Sequence, residues 1–222
     1  VEHRVKKPLW KFTNSGQCGQ PVSELYPNMA KHVDDLCVLK GMHTEGVAHG
    51  PSTLFMHSGT INLIRPSMGS WVTYGLGSES KDLPGFVVVN GGLTPPGGLD
   101  NFNSGFLPAA YQGSVFKPQA SPVANIKRRE SDSIHQQRKL DLVAKLDKGM
   151  SNLTGGQDAI ESAIKNYEMA FRMQNSVPEL ADLSNESDSM KEMYGMNHKY
   201  DKTRIFASEC LMARRLVERG VR

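Results

Sequence analysis

Two short apolar runs, Leu36 to Leu39 and Phe86 to Val89, constrain this chain more than any other feature. Each is continuous, bounded by Gly, Asn or charged residues, and too short for a helix, so each reads as a buried strand. Helix signals lie between them. Pro51 suits the first position of a short helix that runs to Ser58 and is closed by Gly59. Ser67 is an N-cap candidate for a second helix through Trp71, Val72 and Tyr74, closed by Gly75 and Gly77. Strand, helical turns and strand predict a βαβ-type unit with a parallel sheet, and hence an α/β fold flanked by helices.

The flanks are plainer. Residues 1–20 form an irregular lead-in with a short strand near Leu9 to Phe12, and a helix follows from Asn28 through Val33. From Gly91 to Pro122 the chain is rich in Gly, Pro, Asn and Ser and has no sustained period, which marks a long functional or surface loop. Helices dominate from Ser131. One combines Leu140, Val143 and Leu146. A second carries the stripe Ile160, Ala163, Ile164, Tyr167, Ala170, Phe171 and Gln174, and is ended by Pro178. Residues 184–189 are a polar loop. A third helix has the stripe Phe206, Cys210, Ala213 and Val217, with Arg214, Arg215 and Arg219 on its polar side and Gly220 as its cap. The chain begins at Val1 rather than Met and ends on a helix–Gly–Val pattern that resembles the entry to another strand. It therefore reads as a segment of a longer protein, whose apolar faces are expected to be uncovered when it stands alone.

The formal charge of +3 over 222 residues is small and dispersed. It gives no footprint for nucleic acid. No run approaches the roughly 20 apolar residues of a membrane span. Cys18, Cys37 and Cys210 are odd in number and widely spaced, which supports neither a zinc site nor a disulfide framework. Cys37 is expected to be a small buried hydrophobe.

In open α/β sheets chemistry collects in the loops at the carboxyl ends of strands, and a helix N-terminus beside such a loop favours an anion. Residues 43–52, after Leu39, fit that description. His43 and Glu45 are candidate metal ligands, and Thr44 is a candidate hydroxyl nucleophile. His49 can ligate a transition metal, act as a general base or carry a phosphoryl group. Ser52 can offer its hydroxyl to an anion. Each also has a plain structural role open to it: polar loop side chains satisfy their own turns, and a Ser in the first helical turn serves the helix end. His57 has no partner in the pattern, and Arg65 can meet an anion at the second helix or form a structural ion pair.

Several stretches resemble one bacterial family, the sulfatase-like proteins called domain of unknown function 1501, within the alkaline phosphatase-like superfamily. They are VSELYPNMAKHVDDLCVLKGMHTE (22–45), RPSMGSWVTYGLGSESKDLPGFVVV (65–89), GFLPAAYQG (105–113), YEMAFRMQNSVPELADLS (167–184) and CLMARRLVERGVR (210–222). The resemblance implies that residues 1–222 are part of one alkaline phosphatase-like α/β domain, mainly a parallel sheet flanked by helices, with a helix-rich second half. It places the family's first strand before Val1 and its later metal-ligand segments after Arg222. It also implies export to the periplasm or beyond, a divalent metal of the zinc, calcium or magnesium class, and a small-molecule or carbohydrate ester of phosphate or sulfate as substrate. HGPSTLFMHSG (49–59) resembles the sulfatase nucleophile signature, but with two departures. His49 replaces the Cys or Ser that becomes formylglycine, and Thr53 replaces an Arg, whose charge and bidentate fork it cannot supply. Formylglycine chemistry is thereby excluded at position 49. Two expectations remain: a metal-dependent ester hydrolase that uses other residues, or a catalytically degenerate binding or structural protein on the same scaffold.

Overall fold

A computed structural model describes residues 6–119, 121–124, 126–154 and 158–222. By contact density the chain divides into two units, Val1–His43 and Thr44–Arg222.

The first unit is built on an antiparallel hairpin of β1 (Phe12–Ser15) and β2 (Gln20–Ser23), in the register Phe12 opposite Ser23 and Ser15 opposite Gln20. Gly16 and Gly19 supply the positive φ values that the connecting loop needs. A 3₁₀ helix follows at Met29–Asp35, and it aims Asp34 back at that loop. The Asp34 carboxylate accepts the backbone N–H groups of Gln17 at 2.8 Å and Cys18 at 2.9 Å. These bonds, that to Cys18 first, hold its carboxyl below the ordinary aspartate range.

The expected strand at Leu36 to Leu39 does not form. Among the described residues it has no paired neighbour, and Leu36, Val38 and Leu39 are exposed. An apolar run becomes a buried strand only where something covers it, and none of the described residues does so here. Cys37, expected inside, is exposed for the same reason.

The second unit opens with α1 (His49–Ser58) and α2 (Met68–Leu76), closed by Gly59 and Gly77 at φ 73° and 67°. Pro51 falls in the first turn of α1 but two residues after its start. Strand β3 (Val87–Val89) forms where expected. Its parallel partner is β4 (Ser114–Phe116), which pairs Val88 with Val115. β4 lies inside the stretch that shows no sequence period, because three residues are too few to display one. The crossover between β3 and β4 carries 3₁₀ turns at Gly98–Phe102 and Ala109–Tyr111. The described residues thus form a mixed helix-and-strand fold with one parallel strand pair.

The helical half comprises α3 (Ser133–Thr154), α4 (Asp158–Ala181), α5 (Asp188–Tyr194) and α6 (Asp201–Glu218). None of the described helices is long and apolar enough to cross a membrane. Pro178 lies inside α4 rather than ending it. A helix-interior proline costs about 3 kcal/mol. Val177 and Leu180, both fully buried on either side of it, offset that with about 1.5–3 kcal/mol each.

The core joins Met173, Val177 and Leu180 of α4 to Met212 and Leu216 of α6 and Phe116 of β4. The buried face of α6 is Ala207, Leu211, Met212, Arg215 and Leu216, while Phe206 and Val217 of the expected stripe are exposed. The helix is rotated from the expected phase because Arg215 is inside. Its Nη1 donates to the carbonyl of Asp182 at 2.6 Å and its Nη2 to that of Glu179 at 2.9 Å. The guanidinium therefore caps the C-terminus of α4, where free carbonyls and the negative end of the dipole favour a cation.

Two measurements follow. Leu180→Ala and Leu216→Ala should each cost about 2–5 kcal/mol in urea unfolding, whereas Phe206→Ala and Val217→Ala should stay within about 0.5 kcal/mol; the reverse order would restore the expected stripe. The lowered Asp34 pKa makes its contribution to the first unit complete above the unfolded value near pH 4. That contribution fades as pH falls through the lower folded value, so the amide resonances of Gln17 and Cys18 should titrate together below pH 4.

Candidate functional site

The turn from Thr44 to Thr53 is shaped by close backbone approach. A Cβ added at Gly46 would lie 2.6 Å from the Ser52 nitrogen and 2.7 Å from its Oγ, so only glycine lets the loop fold back onto the first turn of α1. The hydroxyls there are engaged. Thr44 Oγ1 accepts the N–H of Gly46 at 3.1 Å, and Ser52 Oγ donates to the Gly46 carbonyl at 2.8 Å. Thr53 Oγ1 donates to the carbonyl of His49 at 2.7 Å. Pro51 in the first turn has no N–H, so the N-terminus of α1 offers an anion one donor fewer than an ordinary helix start.

His49 is the first residue of α1 and is exposed, as is Glu45. His43, also exposed, is the last residue of the first unit. Among the described residues no three His, Cys, Asp or Glu side chains converge well enough to hold a metal ion. His57 is accounted for within the fold, its ring meeting Phe102 edge to face at 5.3 Å. The start of α2 is closed as well. Ser67 and Ser70 are buried, their hydroxyls 3.0 Å apart, and Ser70 Oγ donates to the Asn103 carbonyl at 3.1 Å. Arg65, just before it, stays exposed.

A cleft of about 550 Å³ lies at the carboxyl end of β3, lined by Val89, Asn90, Leu93, Phe102, Ile205 and Glu209. Position 91 decides its shape. A Cβ on Gly91 would sit 2.4 Å from a Glu209 carboxylate oxygen and 2.5 Å from an Ile205 methyl, so glycine lets these two side chains of α6 lie against the strand end as they do. Lys202 and Glu209 put opposite charges into an otherwise apolar wall. Beside them, burial and then the Glu209 carboxylate push the Cys210 thiol upward, away from a reactive thiolate. The Asn90-Gly91-Gly92 sequence after the Val run marks a strand end in the sequence. The approach of α6, more than a hundred residues later, leaves no local signal.

The family described as Protein of unknown function (DUF1501) matches residues 1–222. The chain belongs to the DUF1501 family. No curated protein and no solved structure matches it. The strand-end cleft and the closed 44–53 turn are accordingly features of a DUF1501 chain, described from its own geometry.

The closed turn predicts a ranking. Ser52→Ala in this DUF1501 chain should cost about 1 kcal/mol through one lost hydrogen bond. Gly46→Ala should cost more, about 1–3 kcal/mol, because backbone must move. Urea denaturation of both variants checks it, and a neutral Gly46→Ala would mean that the loop does not fold back.

Proposed function

We propose that this DUF1501 chain is part of an exported, sulfatase-like protein on the alkaline phosphatase-like scaffold that binds a ligand without hydrolysing it. One observation carries this reading: in the stretch that resembles the sulfatase nucleophile turn, the Ser52 and Thr53 hydroxyls give their protons to backbone carbonyls, and Thr44 before it is tied to the same loop as an acceptor. Ser52 donates to Gly46, Thr53 donates to His49, and Thr44 is the acceptor for Gly46. Among the described residues none of the three is hydrogen-bonded to an imidazole or carboxylate that would take its proton, which a hydroxyl nucleophile needs. The ligand is a small molecule or carbohydrate, and the cleft at the end of β3 is its place. The apolar wall there supplies contact area, and Asn90, Lys202 and Glu209 supply the few polar groups that orient a ligand.

The exposed imidazole of His49 favours a second reading, a metal-dependent hydrolase of phosphate or sulfate esters with His49, Thr44 or Ser52 in the reaction. On that reading the remaining ligands come from polypeptide other than residues 1–222.

The full-length protein, supplied in turn with zinc, calcium and magnesium, should turn over neither 4-nitrophenyl phosphate nor 4-nitrophenyl sulfate above the uncatalysed rate. Metal-dependent turnover that His49→Ala abolishes would replace the binding reading with the hydrolase.

A further inference from the structure

The charged side chains of α6 are matched within the fold, with two exceptions. Arg204 meets Asp201, Arg214 meets Glu186 and Glu218, and Arg215 takes the carbonyls at the end of α4. Lys202 and Glu209 have neither an ion pair nor a hydrogen bond among the described residues, and these are the two charges that line the strand-end cleft. They lie two turns apart on one face of the helix, so at 1.5 Å per residue their attachment points are about 10 Å apart. Ile205 and Phe206 stand between them on that face, 42% and 65% exposed. The α6 wall of the cleft therefore runs from a cation through two apolar side chains to an anion.

Glu209 is the deeper of the two charges. It is half-buried, and one carboxylate oxygen rests where a Cβ on Gly91 would come within 2.4 Å. A carboxylate partly withdrawn from water and left without a donor is costly, so a cationic donor suits this end. Lys202 is exposed and offers the other end a point charge. Across the cleft, Leu93 and Phe102 continue the apolar surface. Asn90 has half of its amide committed: Oδ1 accepts the N–H of Gly92 at 2.8 Å, which leaves the NH₂ to donate to a carbonyl. A neutral sugar would leave both charges unanswered and would set its hydroxyls against Ile205 and Phe206. An extended peptide advances about 3.3–3.6 Å per residue, so three residues hold their terminal ammonium and carboxylate about 10 Å apart.

We propose that the strand-end cleft binds an extended zwitterion with an apolar middle, its ammonium at Glu209 and its carboxylate at Lys202. That is the chemistry of a free tripeptide or of a long ω-amino acid. The proposal rests on the reading of this cleft as the ligand site and names the class of ligand.

Isothermal titration of the full-length protein with alanyl-leucyl-alanine tests it. One site per chain is expected. N-acetylation of the peptide and Glu209→Gln should each weaken binding about tenfold or more. Combined, they should do little more than either alone, because both remove the same contact. C-amidation and Lys202→Met should each weaken it up to about fivefold, since that charge is exposed. Neither substitution should move the thermal transition, as neither side chain is bonded within the fold. The ω-amino acid 8-aminooctanoate separates the two sources: equal affinity means that the charged ends alone define the ligand, and weaker binding means that Asn90 also reads a peptide group. No binding, or binding that acetylation and Glu209→Gln leave unchanged, overturns the proposal. Ester turnover decides the ligand reading separately, so a protein that neither hydrolyses the esters nor binds the tripeptide overturns this inference alone.

Discussion

Arg215 is the constraint on which the helical half depends. A guanidinium is expensive to bury, and it stays inside only where every donor it turns inward finds an acceptor. The last carbonyls of α4 meet that need because a helix end leaves them free. In return, the negative end of the α4 dipole acquires a fixed cation. Because the fork is planar and its two acceptors, Glu179 in the last turn of α4 and Asp182 just past its end, lie three residues apart, the contact sets both the rotation of α6 about its axis and its height along α4. Once α6 is fixed in this way, Leu211, Met212 and Leu216 face the body, and Met212 and Leu216 meet Val177 and Leu180.

That same residue explains where the sequence misleads. Periodicity assigns phase by treating charge as outward, and with Arg215 so assigned, the stripe of α6 falls on Phe206, Cys210, Ala213 and Val217. The true face, Ala207, Leu211, Met212, Arg215 and Leu216, lies on roughly the opposite side of the helix. Elements whose signals are local are legible: β3 from its β-branched run, the ends of α1 and α2 from Gly59 and Gly77, and the cap of α6 from Gly220. Elements that depend on a partner are not. Leu36 to Leu39 has the composition of a strand and lacks a neighbour to pair with. Phe116 is among the most deeply buried side chains, and its strand is too short to announce itself.

The candidate site divides along the same line. Residues 44–52 stand out because His, Thr, Glu and Ser cluster before a helix, and the structure does place a turn and a helix start there. What the cluster does is decided by bond directions that no spacing reveals, and those directions tie the hydroxyls to the backbone. The cleft beside Gly91 is invisible in sequence because one wall comes from the strand end and the other from a helix far along the chain. Gly91 itself is the trace left behind, since a Cβ there would displace the Glu209 and Ile205 side chains.

The β3–β4 pair has one further consequence. Each strand has a single bonded neighbour among the described residues, so both outer edges of this two-stranded parallel sheet are open. Three consecutive valines along such an edge favour extended pairing and carry no charge, bulge or proline to discourage it. An open edge of this kind recruits whatever extended chain it meets, including the same segment of a partly unfolded neighbour. Covering this short valine edge is therefore a step at which folding competes with association.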